Sequence, residues 1–377
     1  MRAEVRVFGS EATRPTAVVL SPQVAARAVW VPAFVDLVCD PGFPGFPARE
    51  TPASLADAAT AGGFCELLAC PHVDPVVDTP EHLSRTEPLR PPVRLLAAAA
   101  LTVGLRGVEL TEVGLLRQAG ARALSDGRVP VADSLVLRNA LEYAREFRLP
   151  VLLRPADAAL DAVGVIHDSP LAARLGLRGN PAATEEIGVA RAIALCRATG
   201  ATVHLTHLGT ARAVEQVVAA QREGLPLTAS TPARNLVLDE LALDDGRYDA
   251  RLRLHPPLRG RADRAALVDA VRAGVLWVCA DHQPRAPEEK DHEFERAVPG
   301  SAGLRSAFAA CLHATRDLGA TVRALSEGPR SLLGLPVGGW ALVDPEAPWV
   351  PVPARGQAPD ALEGHELRGV VLDLAAG

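Results

Sequence analysis

Two short segments concentrate side chains able to bind a metal ion or move a proton. HLTHLGT carries His204 and His207, and CADHQPR carries Asp281, His282 and Arg285. An imidazole and a carboxylate brought together can ligate a cation or serve as a general base. Spacing separates the members of each pair. His204 lies three residues before His207 and faces elsewhere on an extended chain, and His282, next to Asp281, points to the opposite side. His207 and Asp281 are therefore the candidates for chemistry, with His204 and His282 as structural groups. Other polar residues punctuate apolar runs: Asp40, His72, Asp126, Arg154, Arg234 and Asn235. Arginine suits carboxylates and phosphates but is not a metal ligand, because its pKa exceeds about 12.

These groups need a frame. Apolar or β-branched runs at Trp30–Val38, Gly63–Cys70, Arg94–Thr102, Ala121–Ser125, Val151–Arg154, Thr202–Leu208, Leu225–Thr231 and Val275–Asp281 read as strands. Between them, apolar spacing near 3.6 predicts helices over Ser54–Ala61, Ser134–Phe147, Ala182–Thr199, Ala211–Glu223 and Asp263–Arg272. Gly200 and Gly224 read as helix stops and Thr210 as an N-cap. Eight strands alternating with helices predict an α/β fold, a (β/α)8 TIM barrel. The rival doubly wound sheet would place a GxGxxG after its first strand, and there is none. The chain divides into residues 1–32 and 335–377, which are expected to form a small β module from both termini, and the barrel at 33–334. Polar residues that follow the strands then ring one mouth, where barrel enzymes hold their chemistry.

Composition narrows the function. The chain has 377 residues, 39.5 kDa, a formal net charge of −6 and a pI of about 6.0. That balance argues against a nucleic-acid-binding surface. No apolar run is long enough for a membrane span and no signal segment is evident at the start, so a cytoplasmic protein is expected. The six cysteines form no CxxC pair and read as small core residues. Lys290 is the only lysine.

PAFVDL, CPHVDPVVDTPEHL, GVELTEVGLLRQAGARALSDGRVPV, LEYAREFRLPVLLRPAD, ARLGLRGNPAATEE, VHLTHLGTARAVE, HPPLRG and ADHQPRAPEEK occur in that order. Over residues 33–335 this series resembles the dihydroorotases of the amidohydrolase superfamily, in particular the bacterial class that associates with aspartate carbamoyltransferase. The resemblance implies a metal-dependent hydrolase that interconverts carbamoyl-aspartate and dihydroorotate. It implies a His-x-His pair at the end of strand one, whose i, i+2 spacing turns both imidazoles to one face. Further ligands come from strands four, five, six and eight, and the strand-eight aspartate is the general base for a metal-activated water.

The chain departs from that pattern where the chemistry lies. The two histidines fall at Val38 and Asp40, the strand-five histidine at Arg154, a carboxylate-binding arginine at Gly42, an asparagine at His72 and a histidine after strand eight at Arg285. The paired histidines after strand seven fall at Arg234 and Asn235. What remains is a degenerate metal set of Asp126, His207 and Asp281, with Asp281 as a vestigial general base. His72, Arg154, Arg285 and His255 are remnants of the substrate site. Asp40 reads as a solvated loop carboxylate. No cofactor is expected. The first reading is a catalytically inactive dihydroorotase-like protein, oligomeric and serving as a scaffold for aspartate carbamoyltransferase. A second is an active hydrolase with zinc or manganese on Asp40, Asp126, His207 and Asp281. A third is an anion-binding module in which Arg154, Arg234, Arg285 and Arg305 crowd the mouth. On the first reading Arg154 is expected to bond to Asp126 or Asp281, replacing the lost cation.

Overall fold

The eight apolar runs become eight parallel strands that pair in chain order. Barrel strands one to eight are Phe34–Cys39, Phe64–Ala69, Arg94–Ala99, Ala123–Ser125, Val151–Leu153, Val203–Leu205, Leu227–Pro232 and Trp277–Cys279. The structure is a computed structural model and describes residues 4–84, 88–353 and 358–377. Strand eight returns to strand one through a bridge between Cys39 and His282, where the Asp40 amide donates to the His282 carbonyl at 2.8 Å. Asp36 helps close this seam, its Oδ1 accepting from the Ala280 amide at 2.9 Å. The barrel expected from the sequence is the one observed.

Strands covered on both faces read as continuous apolar runs. Strands one and two are buried at every residue. Val35, Leu37, Val38, Leu68, Ala98, Ala123, Leu152 and Cys279 pack together, drawn from strands around the ring. His204 belongs to this interior as a structural group. Its ring nitrogens lie 2.8 Å from Thr228 Oγ1 and 2.9 Å from Ser230 Oγ, and its ring stacks on Trp277. The cysteines are unpaired and all buried except the half-buried Cys70. Burial, with Glu66 beside it, pushes the Cys65 thiol up to about 12, so it is no nucleophile.

The connecting helices include Pro52–Gly62, Ser134–Glu146, Ala183–Thr199, Ala211–Arg222 and Arg261–Arg272. Thr210 caps its helix by accepting from the Ala213 amide at 3.2 Å. Gly200 and Gly224 take left-handed φ values of 66° and 77° just past two helix ends, conformations that glycine adopts without a Cβ penalty.

One predicted strand divides. Trp30–Val38 was expected to be continuous, but Val29–Pro32 pairs antiparallel with Gly339–Trp349 while Phe34–Cys39 enters the barrel. The change of sheet comes at Pro32, which has no N–H to carry a ladder onward. Leu367–Ala376 completes the three-stranded sheet, with Gly339–Trp349 at its centre. A short hairpin of Glu4–Arg6 and Thr13–Pro15 lies beside it, joined at a bridge from Val7 to Trp30. Both termini thus build one small β module. Among the described residues, no helix is long and apolar enough to cross a membrane.

Candidate functional site

Asp281 is the centre of the barrel mouth. It is 1% exposed and sits two residues beyond strand eight with φ +47°, and His207, two residues beyond strand six, has φ +61°. Left-handed backbone at a non-glycine residue costs on the order of 1–3 kcal/mol, so surrounding contacts must hold both turns. His207 Nε2 lies 2.9 Å from Asp281 Oδ1, and His207 Nδ1 lies 2.8 Å from Thr206 Oγ1. The Gln283 amide donates to the same Asp281 oxygen. Arg234, on the turn after strand seven, donates Nη2 to Asp281 Oδ2 and Nη1 to the Asp281 carbonyl at 3.2 Å. Burial alone would raise the Asp281 pKa, but the Arg234 guanidinium and His207 outweigh it and hold the carboxyl well below its usual range.

Asp40 forms a second ion centre and is not the solvated group expected, being 2% exposed. The Cys39–His282 bridge draws the chain inward here. Asp40 Oδ2 meets Arg128 Nη2 at 2.7 Å and Arg285 Nη1 at 3.4 Å, and His72 Nε2 also lies 3.4 Å away. Burial opposes ionisation, yet His72, Arg128 and Arg285 together hold this carboxyl far below its usual range.

The expected link from Arg154 to Asp126 or Asp281 does not form. Arg154 Nε and Nη2 donate to the Arg128 carbonyl at 2.9 and 2.6 Å, and its fork grips Asp161, with Nη1 3.2 Å from Oδ1. His255 Nε2 lies 3.0 Å from Asp161 Oδ2. The reason is local. The chain turns after strand five into a short helix, Ala158–Asp161, which offers a carboxylate seven residues on. Asp126 turns toward strand three instead. It accepts from the Leu101 and Thr102 amides at 2.8 and 3.0 Å and from Thr102 Oγ1 at 2.6 Å. Those donors satisfy it within the scaffold, and burial raises its pKa. His282 is structural, as expected, with Nε2 3.0 Å from the buried Glu50 Oε2. Arg305 lies away from the mouth, lining a cleft with Glu50, Trp349 and Asp360.

These residues do not fit a catalytic metal. A zinc centre needs about three protein ligands. His207 and Asp281 converge, but Asp126 is engaged elsewhere, Val38 carries no donor atom and Arg234 occupies Asp281 Oδ2. Among the described residues, no three or more His, Cys, Asp or Glu side chains come together as a metal set.

Sequence reading missed Arg128, Asp161 and Gln283. Gln283 was within reach, since it lies two residues from Asp281 and an extended chain would turn both the same way. Arg128 and Asp161 sit on loops with no periodicity to place them. Over the mouth, Lys290 Nζ donates to the Ala250 and Arg253 carbonyls at 2.9 and 3.3 Å. Burial and the nearby Arg285 and Arg234 lower its pKa to about 7. The mouth leaves a cavity of about 20 Å³, lined by Val38, Asp40, His72, Arg128, Thr206 and His207 with their neighbours. One water needs roughly 10–15 Å³ on this scale, so a ring-sized substrate has no room in this conformation.

Residues 27–213 match the family model described as dihydro-orotase-like. A curated dihydroorotase of Anaeromyxobacter dehalogenans strain 2CP-1 is 38% identical over 349 residues, covering 88% of this chain and 81% of that protein. The dihydroorotase of Mycobacterium tuberculosis strain H37Rv is 36% identical, covering 86% of this chain and 80% of that one. Among solved structures, L-hydantoinase from Arthrobacter aurescens superposes with a TM-score of 0.82 at 16% identity, covering 99% of this chain and 93% of that one. Dihydroorotase from Saccharomyces cerevisiae in complex with 5-fluoroorotic acid gives 0.73 at 14% identity, over 92% of this chain and 99% of that one.

Proposed function

Because the chain belongs to the dihydroorotase family, we propose that it serves pyrimidine biosynthesis as a non-catalytic barrel, a scaffold for aspartate carbamoyltransferase. One observation carries the inactive reading: both carboxylate oxygens of Asp281 are engaged by the chain's own Arg234, His207 and Gln283. A general base needs a free lone pair, and a metal ligand needs one aimed at the ion. Three of the roughly four lone-pair sites of Asp281 meet protein donors, and the one left, on Oδ2, sits beside the Arg234 guanidinium, whose charge opposes both proton uptake and a metal cation. The small cavity supports the same reading.

The test is metal content of the purified protein, without chelator, beside a dihydroorotase assay in both directions. The expected result is no stoichiometric metal and no rate above background. About one zinc or manganese per chain, with activity lost in Asp281→Ala, would sink the proposal. That outcome would establish the second reading, an active hydrolase with an altered metal site, which the relatives named dihydroorotase favour.

The scaffold role implies a cytoplasmic, oligomeric assembly. Mixed at micromolar concentration, this chain and aspartate carbamoyltransferase from the same organism are expected to elute together in size-exclusion chromatography. Two independent peaks would count against a stable assembly.

A further inference from the structure

We propose that a second copy of this chain docks, about a two-fold axis, in the open groove between the end of helix Ala307–Thr315 and the strand pair Gly339–Trp349 and Leu367–Ala376. The groove holds about 650 Å³ and is lined by Arg316, Glu346, Glu366 and Arg368 over an apolar floor that includes Trp349 and Leu367. Its walls carry opposite charge: Arg316 stands on the helix side, Glu346 and Glu366 on the strand side. Among the described residues, neither Arg316 nor Glu366 makes an ion pair or a side-chain hydrogen bond. Glu346 acts on Arg27, which Asp344 already holds at 2.7 Å, and Arg368 Nε donates to the Pro345 carbonyl at 3.2 Å. His313 adds no second charge to the helix wall, because burial and the nearby Arg316 lower its pKa.

Two further observations point to a protein surface as the occupant. Arg316 ends its helix in left-handed backbone, with φ +55°, at a position that glycine usually holds. The strained turn supplies the groove with a guanidinium that glycine would not. Along the strand end, Pro348, Val350 and Val352 are exposed in alternation, an apolar stripe beside the unpaired charges. A small anion or cation would satisfy one wall and be repelled by the other. A second copy meets both. In an isologous pair the same patch faces itself, so Arg316 of each copy lies against Glu366 of the other, and the two apolar stripes are covered together.

The inference needs neither a metal-free mouth nor the second enzyme of the proposed assembly, so it stands or falls separately from that reading. Its test is light scattering behind size-exclusion chromatography of the full chain alone, from about 1 to about 50 µM. The expected mass at the upper end is twice the 39.5 kDa of one chain. Arg316→Glu and Glu366→Arg each bring like charges together, and each should raise the dimer Kd more than about tenfold. Combining them restores opposite charges and should return Kd to within about threefold of the unaltered chain. Arg316→Gly separates folding from association. It relieves the left-handed turn, so at dilutions where both proteins are monomeric its Tm should match or exceed that of the unaltered chain, while its dimer is weaker. A chain still monomeric at about 50 µM, or single variants that dimerise as the unaltered chain does, would overturn the proposal. A monomer that instead loses coelution with aspartate carbamoyltransferase on Glu366→Arg would give the groove to that enzyme and overturn the pairing of copies.

Discussion

Arg234→Met is expected to destabilise the fold by about 3–5 kcal/mol at pH 7, the usual cost of breaking a buried ion pair by removing one partner. Both side chains are almost inaccessible, at 5% and 1% exposed. Methionine roughly fills the volume but leaves Asp281 ionised with only His207 and Gln283 to meet it. His207 and Asp281 would then keep their left-handed backbones with less to hold them. Combining Arg234→Met with Asp281→Asn should recover much of the loss, because the charge left behind causes most of the damage. Urea unfolding of the wild type, both single variants and the double variant measures this. A loss below about 1 kcal/mol for Arg234→Met would show that Arg234 does not neutralise the mouth.

The second large effect depends on pH. Asp36 is fully buried at the seam between strands one and eight. Its Oδ1 accepts from the Ala280 amide, while Oδ2 has no partner. Burial is the dominant cause that raises its pKa from 3.8 to about 7. The folded state therefore holds the proton more tightly than the unfolded chain. Its stabilising contribution is complete below about pH 4 and is lost as pH rises to about 7. That interval corresponds to roughly 4 kcal/mol at most. Asp36→Asn removes the charge, so it should match the wild type near pH 4 and exceed its stability by about 1–3 kcal/mol at pH 8. Identical stability–pH slopes for the two proteins would refute this assignment.

Sequence alone determined the frame and its two chemical landmarks. Eight apolar runs alternating with helical ones specify a parallel barrel, because each element must bury its apolar face and parallel strands require helical crossovers. Strand periodicity then separated His207 from His204 and Asp281 from His282, and the structure brings His207 and Asp281 to 2.9 Å. The absence of an imidazole at Val38 and Arg154 was also plain in the letters. Tertiary structure decided which cation meets which anion. Arg154 was expected at Asp126 or Asp281, but it turns to Asp161, and Arg234 takes Asp281. Asp40 was expected in solvent and is buried between two arginines. The physical reason is common to these cases. Periodicity fixes the face and end of a strand from which a side chain departs, since the backbone geometry repeats. The partner at the far end of a long arginine depends on the path of aperiodic loops and on which carboxylate they carry into reach. No local pattern in the sequence encodes that path.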